Sequence, residues 1–350
     1  MSFSIGIVGL PNIGKSTLFK ALTRKEVNID ARPFTTTHVN IGIISVPDKR
    51  LRKIARIVKP ELITPTTIEF VDIAGLVKNA YKGEGLGNKF LADIRNCHAL
   101  IEILRAFEDQ RVEHIEGNID PLRDIEIIKT EFLMKDLETL ENSFSKLKKE
   151  KKIKTKQDEK KLRILEKTKE SVAKGLSVSE LNLEKEEKEF IKEYRLLTEK
   201  PKIFILNINK PELPLVKRLK KDLKKFSVFN LKLEEEISEL SNNELKELKI
   251  KSHLDRLILS CYDVLNLITF YTIAGGKETR AWTLSKGSKA PQAGGCVHSD
   301  FEKRFIKAEV LPWEKLVEIK SWNQARKLGL IKTVGKDYIV QDGEIIEFKI

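Results

Sequence analysis

The sequence predicts an α/β fold in which a mostly parallel sheet is covered by helices on both faces. Short β-rich runs alternate with helical patterns over the first hundred or so residues and resume near residue 203. A glycine-rich motif directly follows the first of these runs. About a hundred residues separate the run that ends at Leu104 from the run that starts at Ile203, far more than a crossover between parallel strands needs. We therefore expect an insertion within the α/β domain.

The elements of the sheet follow one another in a regular order. Phe3 to Val8 predicts a strand that ends at Gly9, and Ser16 to Arg24 predicts a helix with an apolar side. A second helical pattern covers Leu86 to Cys97. Further strands are predicted at Val39 to Val46, Ile68 to Val71, Ala99 to Leu104, Ile203 to Leu206 and Phe226 to Leu231.

The insertion is predicted to be a helical hairpin. Apolar residues recur at helical spacing from Ile125 to Leu147 and again from Leu162 to Leu176, with a lysine-rich turn between the two stretches. Two such stretches predict antiparallel helices. We place the insertion at about residues 118–197, within a first domain of residues 1–266.

The residue pattern changes at Leu267. Short alternating runs are separated by Gly275-Gly276, Gly294-Gly295 and Asp342-Gly343, which predicts a small β-rich domain over residues 267–350. A helix is expected near Trp313 to Ile319. The strands are predicted at Ile268 to Tyr271, Arg280 to Leu284, Tyr338 to Val340 and Ile345 to Phe348.

The chain is basic, with 65 Lys+Arg against 52 Asp+Glu and a formal net charge of +13. Between Phe144 and Glu170 the sequence has twelve basic and five acidic residues, and after residue 266 it has fourteen basic and ten acidic residues. A solvated helix tip and a contact with a polyanion such as RNA both account for the first cluster. Because most of the excess positive charge lies outside the predicted sheet, we favour a contact with a polyanion over a solvated helix tip. No stretch resembles a membrane span or a signal peptide, and three scattered cysteines predict reduced thiols, so we expect a cytoplasmic protein.

The glycine-rich motif is predicted to bind phosphate. Gly9-Leu10-Pro11-Asn12-Ile13-Gly14-Lys15-Ser16 fits G-x-x-x-x-G-K-[ST] between a strand and a helix. Its backbone N–H groups can turn toward phosphates, and the helix N-terminus adds the positive end of its dipole. Lys15 is expected to reach the β- and γ-phosphates and Ser16 to coordinate Mg²⁺. A turn without a ligand is the weaker interpretation, because the strand and the helix stand where the motif requires them.

Further motifs for a nucleoside triphosphate follow the loop. Asp72-Ile73-Ala74-Gly75 is a D-x-x-G arrangement in which Asp72 reaches the Mg²⁺ shell and the Gly75 amide senses the γ-phosphate. The run Thr35 to Thr37 lies where a switch threonine should close over the metal, and spacing alone does not choose among the three. Leu76 stands where small GTPases carry a water-orienting glutamine, so the catalytic group must come from elsewhere.

Two alternatives remain open for recognition of the base. Asn207 directly follows the strand ending at Leu206, as the guanine-reading N-K-x-D motif would, but Asn207-Ile208-Asn209-Lys210 lacks the terminal acid. A shifted frame, Asn209-Lys210-Pro211-Glu212, restores N-K-x-E two residues beyond the strand. A GTPase of similar mechanism is therefore an alternative to an ATPase.

Long strings along the whole chain resemble the YchF family, the Obg-like ATPases. They are GLPNIGKS from Gly9, VDIAGLV from Val71, GEGLGN from Gly83, RAWT from Arg280, HSDFEK from His298 and GKDYIVQDG from Gly335. The resemblance implies a P-loop NTPase domain of the OBG type in the TRAFAC class, an inserted coiled-coil hairpin and a C-terminal TGS domain of β-grasp type. It further implies hydrolysis of ATP in preference to GTP, use of Mg²⁺ and association with ribosomes.

The resemblance also implies roles for individual residues. Ser16 and Thr36 match the family's magnesium ligands, and Leu76 matches its hydrophobic replacement of glutamine. His114, which the residues alone would place on the surface, matches the catalytic histidine. Nucleotide contacts are expected at Gly9, Asn12, Ile13, Gly14, Lys15, Ser16, Thr17, Asp72, Gly75 and Asn207.

The sequence departs from the family pattern at the base-reading motif, where Lys210 occupies the position of a glutamate. Asn12 is compatible with K⁺ beside the phosphates, which adds K⁺ to Mg²⁺ as a candidate cofactor. We expect a monomeric ATPase, away from membranes, that contacts RNA of the large or small ribosomal subunit through the basic hairpin tip and the TGS domain. A nucleotide-gated RNA or ribosome adaptor with incidental hydrolysis is the non-enzymatic alternative.

Overall fold

The computed structural model describes residues 3–24, 40–73, 91, 93–109, 111–112, 114–149, 155–210, 216, 219 and 226–350. Among them, a first sheet contains six strands: β1 (Phe3–Val8), β2 (Asn40–Ser45), β4 (Thr67–Asp72), β5 (Ala99–Arg105), β6 (Lys202–Asn207) and β7 (Phe226–Phe229). The strand order is β2-β4-β1-β5-β6-β7, so β1 lies between β4 and β5. This order confirms the predicted α/β fold class.

The centre of this sheet is parallel. Strand β1 pairs with β5, β5 pairs with β6 and β6 pairs with β7, all in parallel. Every residue of β5 is buried, as expected for a strand covered on both faces. Most predicted strands agree with the observed ones to within about two residues. The prediction for Phe226 to Leu231 was too long, because Asn230 caps a helix that begins at Leu231.

Helices of the first sheet and of the insertion are amphipathic. Helix α1 (Lys15–Arg24) follows β1 through the glycine-rich loop. The helical pattern predicted for Leu86 to Cys97 is seen at residues 91 and 93–96, and its earlier part lies outside the described residues. Further α-helices among the described residues are α3 (Pro121–Lys149), α4 (Lys156–Ala173), α5 (Lys185–Lys192), α6 (Leu231–Glu239) and α7 (Asn242–Glu247).

The predicted helical hairpin is formed by α3 and α4. The two helices share one apolar cluster that includes Leu140 of α3 with Ile164 and Leu165 of α4. Thr155 caps α4 by accepting a hydrogen bond from the N–H of Asp158, at the start of the returning helix. No helix among the described residues combines the length and the apolar composition needed to cross a membrane.

A buried carboxylate anchors α3 to the chain that returns from the hairpin. Asp136 is fully buried and accepts hydrogen bonds from the N–H of Leu197 (2.7 Å), the N–H of Thr198 (2.8 Å) and the hydroxyl of Thr198 (2.7 Å). Burial raises the pKa of Asp136, and these three donors act in the opposite direction. The foot of the hairpin is therefore held by directed hydrogen bonds as well as by apolar packing.

A second six-stranded sheet among the described residues is formed by β3 (Leu62–Thr64), β8 (Leu267–Ala274), β9 (Glu278–Ser285), β10 (Lys307–Pro312), β11 (Lys332–Val334) and β12 (Glu344–Lys349). The strand order is β11-β10-β12-β8-β9-β3. Strands β8 and β9 form an antiparallel hairpin, and β3 pairs in parallel with β9. The helices beside them are α2 (Lys49–Val58), α8 (Leu254–Val264), α9 (Ala290–Val297), α10 (Ser299–Lys303), α11 (Trp313–Ile319) and α12 (Trp322–Lys327).

Helix α2 belongs to the core of this second sheet. Leu51 and Ile54 of α2 share an apolar cluster with Tyr271, Leu311 and Leu316. Contacts divide the chain into two compact units, one containing Ile43–Glu69 with Leu254–Ile350 and the other containing Ser4–Gly42 with Phe70–His253. The unit that holds the C-terminal sheet therefore includes a segment from the first hundred residues, which the predicted domain limits of 1–266 and 267–350 leave apart.

A polar network fixes α2 within that unit. Asp48, the N-cap of α2, accepts hydrogen bonds from the N–H of Arg50 (2.8 Å) and the hydroxyl of Tyr271 (2.5 Å). The Arg50 guanidinium also bonds Asp342 (2.6 Å). Burial and the nearby carboxylate raise the pKa of Tyr271, so its hydroxyl keeps its proton and donates. The cap of α2 is thus completed by a residue more than two hundred positions away in sequence.

We expect Asp136→Ala to lower the free energy of unfolding by about 3 kcal/mol, because two buried N–H groups lose their acceptor. Asp136→Asn keeps one acceptor oxygen and should cost roughly half as much. Urea unfolding measures the loss, and hydrogen exchange at the amides of Leu197 and Thr198 locates it. Glu138→Ala is the matched control, since Glu138 is exposed on the same helix and pairs only with Lys135 in the described contacts. Unchanged exchange at both amides in Asp136→Ala would contradict the anchor.

Candidate functional site

The loop between β1 and α1 has the backbone conformation that its glycines permit. Gly9 has φ +147° and Gly14 has φ +104°, values that side chains with a Cβ rarely adopt. A Cβ on Gly14 would lie 2.6 Å from Nδ2 of Asn207, so a larger residue cannot fit there without displacing that amide. Asn12, with φ 61°, is left-handed as well. The loop therefore curls back on itself directly before the helix N-terminus, as a phosphate cradle requires.

Lys15 is the first residue of α1, and its side chain folds over the loop. Its ammonium donates hydrogen bonds to the carbonyls of Leu10 (2.7 Å) and Gly9 (3.2 Å). The residue is only 8% exposed. Burial lowers the pKa of Lys15 to about 8, although the negative charge of Asp72 acts in the opposite direction. A cation is therefore held inside the loop, where the phosphates of a nucleotide would sit.

Ser16 and Asp72 lie together beside the loop. The Ser16 hydroxyl donates to Oδ2 of Asp72 at 3.3 Å, and Asp72 is the last residue of β4. Burial raises the pKa of Asp72, while the bond from Ser16 and the charge of Lys15 lower it. A hydroxyl and a carboxylate are the oxygen donors that Mg²⁺ prefers. The pair has the chemistry of a magnesium site, and its predicted partner Thr36 lies outside the described residues, as do Gly75 and Leu76.

Asn207, which the sequence places near the base, braces the phosphate loop. Its Nδ2 donates to the carbonyl of Ile13 (2.9 Å), and its Oδ1 accepts from the N–H of Leu231 (3.1 Å). The residue is 6% exposed. Asn209 is exposed and donates to the carbonyl of Glu108 (3.1 Å). Both polar atoms of Asn207 are thus hydrogen-bonded within the protein, and the amide joins the loop to the end of β6 and to the start of α6.

The remaining loop residues of the predicted site differ in exposure. Ile13 is buried, Asn12 is exposed and Thr17 is partly buried in the first turn of α1. The buried Ile13 side chain lies against the position where a Cβ on Gly9 would be, so Gly9 serves both the turn and the packing of Ile13. The structure therefore brings together Gly9, Ile13, Gly14, Lys15, Ser16, Asp72 and Asn207.

His114 is buried, whereas the residues alone would place it on the surface. Its Nε2 donates to Oδ2 of Asp124 at 3.0 Å, and its Nδ1 accepts from the N–H of Glu116 at 3.2 Å. The side chains of His114 and Asp124 are each 2% exposed. Asp124 lies in the first turn of α3, where the helix dipole favours a negative charge. Sequence reasoning missed Asp124, although an acid ten residues after a candidate histidine was a visible signal.

Arg105, at the end of β5, holds the segment that leads to His114. Its guanidinium donates to the carbonyls of Val112 (2.7 Å) and Phe107 (3.1 Å), and it lies 4.5 Å from the centre of the Phe107 ring. Arg105 is only 3% exposed. Sequence analysis missed this residue as well. The available signal was a cation at the end of a β-rich run, because such a group must find partners when the strand is buried.

Comparison with known proteins gives matches over the whole chain. A family model described as a 50S ribosome-binding GTPase matches residues 4–142, and a C-terminal YchF-GTPase model, described as a protein of unknown function, matches residues 267–350. The chain is 44% identical to the ribosome-binding ATPase YchF of Haemophilus influenzae, over 100% of this chain and 99% of that protein. It is 40% identical to the Bacillus subtilis protein of the same description, with the same coverage.

A solved structure agrees with these matches. The structure of the Schizosaccharomyces pombe YchF GTPase superposes with a TM-score of 0.86 at 33% identity, covering 99% of this chain and 98% of that one. The similarity therefore includes the inserted hairpin and the C-terminal sheet as well as the phosphate loop.

Nucleotide affinity should fall as pH rises through about 8, because Lys15 loses its proton there in the free protein. A phosphate favours the ammonium form, so binding above that pH must take up a proton. We expect the Kd to rise by up to about tenfold per pH unit between about 8 and 9.5 and to stay flat just below about 8. Titration with a fluorescent nucleotide at constant ionic strength measures this. Lys20→Ala, on the exposed side of α1, should keep the wild-type profile, whereas a Kd constant up to about pH 9.5 would refute the role of Lys15.

Proposed function

Because the chain belongs to the YchF family, we propose that it is an ATPase that associates with the ribosome and acts as a regulatory factor in translation. The observation that carries the proposal is the loop itself, in which a buried lysine, a serine hydroxyl and an aspartate converge beside a helix N-terminus. The reaction is ATP plus water to ADP plus phosphate. The curated relatives at 40–44% identity are described as ribosome-binding ATPases, which supports ATP as the substrate.

The phosphate loop binds and neutralises the triphosphate. Lys15 would exchange its bonds to the carbonyls of Gly9 and Leu10 for the β- and γ-phosphate oxygens, and the loop N–H groups would complete the cradle. Asn207 holds the loop in shape through the carbonyl of Ile13. Preorganised donors of this kind stabilise the charge that develops on the transferring phosphoryl group.

Mg²⁺ is proposed as the cofactor, with Ser16 and Thr36 as protein ligands and Asp72 in its outer shell. When bound, the ion would supply positive charge that neutralises part of the charge of the phosphates. Asp72 already accepts the Ser16 hydroxyl, so it orients that oxygen before any metal binds. We also propose K⁺ beside the phosphates near Asn12, whose left-handed backbone brings a polar side chain to the exposed side of the loop. Equal turnover in K⁺ and in Na⁺ would remove K⁺ from the proposal.

His114 is proposed as the catalytic residue that orients or deprotonates the attacking water. Leu76 has no polar group for this task, and an imidazole is a credible water-orienting or proton-accepting group. Arg105 holds the segment before His114 at the end of β5, next in the sheet to the strand that carries the phosphate loop. The catalytic loop and the phosphate loop are therefore attached to neighbouring strands.

The basic hairpin tip is proposed as a contact with ribosomal RNA, together with the C-terminal domain. Lys146, Lys148 and Lys149 are exposed in the last turn of α3. On the returning side, Lys160 pairs with Glu186 and Lys167 with Glu187, so part of the charge there is already neutralised. The lysines of α3 also stabilise the helix, because positive charges interact favourably with the negative end of the helix dipole. This stabilisation is the alternative explanation for their position, and an experiment must separate it from RNA binding. We place the protein in the cytoplasm as a monomer.

We expect His114→Ala to reduce ribosome-stimulated ATP turnover to about the unstimulated rate, because general acid–base groups contribute about 100-fold or more. Nucleotide binding should be unchanged, and ATP should compete better than GTP for a fluorescent nucleotide in both proteins. His253→Ala is the control, since His253 contacts Glu234 through its backbone N–H. A normal stimulated rate in His114→Ala would exclude the catalytic role. Stronger competition by GTP would favour the GTPase described for the fission yeast relative.

Replacing Lys146, Lys148 and Lys149 together with glutamine should weaken ribosome binding and reduce its salt dependence. Each lost phosphate contact lowers the slope of log K against log salt by about 0.7–0.9, so the triple variant should lose up to about 2–3. Co-sedimentation with ribosomes over a salt series gives the slope. The matched variant replaces Lys160 and Lys167, whose charges are paired. Equal slopes for the wild type and the triple variant would leave the tip as a solvated helix end.

A further inference from the structure

The imidazole of His114 is docked against the foot of the hairpin. Its Nε2 donates to Asp124 and its Nδ1 accepts from the N–H of Glu116, at 3.0 and 3.2 Å. We call this arrangement, formed by His114, Asp124 and the backbone of Glu116, the histidine latch. Both ring nitrogens are used, and both latch side chains are 2% exposed. A ring in this position has no lone pair for the proton of a water molecule.

The residues that follow His114 are also held by hydrogen bonds, as Arg105 holds the residues before it. The N–H of Gly117 bonds the carbonyl of His114 at 2.9 Å, and Gly117 has φ +80°, so the chain turns tightly after the histidine. Arg123 of α3 donates to the carbonyl of Asn118 at 2.7 Å and also contacts the other oxygen of Asp124 at 3.2 Å. The histidine is therefore attached to the first turn of α3 by side chains and backbone together.

The carboxylate of Asp124 has a charged partner besides His114, because its other oxygen contacts Arg123. The positive end of the α3 dipole and the guanidinium of Arg123 both stabilise its carboxylate. Breaking the latch thus does not strand a buried charge, which would otherwise cost several kcal/mol. The arrangement is suited to opening and closing rather than to permanent stabilisation.

The latch and the basic tip lie at opposite ends of one helix. Helix α3 has 29 residues, which at about 1.5 Å per residue gives a rod roughly 43 Å long. Asp124 is in its first turn, and Lys146, Lys148 and Lys149 are in its last. One continuous helix therefore connects the tip to the residue that holds the imidazole.

We propose that Asp124 is a positioning residue that keeps His114 in an inactive place, and that binding of a polyanionic surface at the hairpin tip releases the imidazole for hydrolysis. The proposal rests on the catalytic role of His114 proposed above. The unbound protein is then expected to hydrolyse ATP slowly, because the ring is docked. The proposal also gives the inserted hairpin a second task besides binding, which is to control the catalytic residue at its foot.

The decisive variant is Asp124→Ala, which removes the acceptor of Nε2. We expect ATP turnover without ribosomes to rise by about tenfold and the stimulation by ribosomes to fall in proportion, because a hydrogen bond to a charged group is lost. Asp124→Asn keeps an acceptor oxygen and should lie between the wild type and Asp124→Ala. In the His114→Ala background, Asp124→Ala should change nothing. Glu126→Ala, an exposed acid two residues further along α3, is the matched control and should keep the wild-type rates.

Nitrogen NMR of the His114 ring supplies a readout that does not depend on turnover. The docked ring should show a single tautomer with the proton on Nε2, and this signature should be lost in Asp124→Ala and retained in Glu126→Ala. Far-ultraviolet circular dichroism and the unfolding midpoint verify that each variant is folded. If Asp124→Ala fails to fold, Asp124→Asn carries both measurements.

These measurements distinguish a failure of the latch from a failure of the catalytic role of His114. Suppose His114→Ala abolishes stimulation but Asp124→Ala shows the wild-type unstimulated rate or a lower one; then Asp124 only stabilises the loop and the latch is overturned, while His114 remains catalytic. If His114→Ala leaves the stimulated rate intact, the catalytic assignment fails and the latch fails with it. A raised unstimulated rate that persists in the His114→Ala background would also overturn the latch, because the effect would not pass through the imidazole.

Discussion

The amide of Asn207 is the contact on which the candidate site depends. It joins the carbonyl of Ile13 to the N–H of Leu231, and so it fastens the phosphate loop to the end of β6 and to the start of α6. The absence of a side chain at Gly14 makes this approach possible, since a Cβ there would lie 2.6 Å from the amide nitrogen. A loop that must offer its N–H groups to phosphates cannot use them for its own carbonyls, and the buried amide donates to one of those carbonyls, that of Ile13.

Buried polar side chains also join separate segments of the chain where the hairpin leaves the sheet. Asp136 accepts hydrogen bonds from two backbone N–H groups at the foot of the hairpin. Asp124, which lies nearer the start of the same helix, accepts a hydrogen bond from the imidazole of His114. Both acids lie on α3, on its buried side. Buried polar groups without partners are costly, so each of these acids restricts which chain segment can lie beside it. One helix therefore sets the position of the hairpin and the resting position of the proposed catalytic residue.

Much of the fold followed from local patterns. The strand runs around Ile5, Ile68 and Ile203 and the helical spacing of the hairpin were recognisable because packing on a sheet or along a helix repeats with a fixed period. The loop from Gly9 to Ser16 was recognisable because its chemistry needs specific residues at specific spacing. The membership of α2 in the C-terminal unit was not foreseen. It depends on Leu51, Ile54 and the Asp48 cap meeting Tyr271, and no local period records a contact across more than two hundred residues.

By itself, the sequence determined the fold class, the phosphate loop with Lys15 and Ser16, the aspartate at the end of β4 and the concentration of positive charge in the hairpin. These are properties of neighbouring residues, so spacing and composition are enough to express them. Only the tertiary structure decided that Asn207 braces the loop, that Arg105 holds the approach to His114 and that Asp124 docks its ring. Each of those roles is a hydrogen bond between segments far apart in the chain or on different elements, and such bonds exist only once burial has removed water as the competing partner.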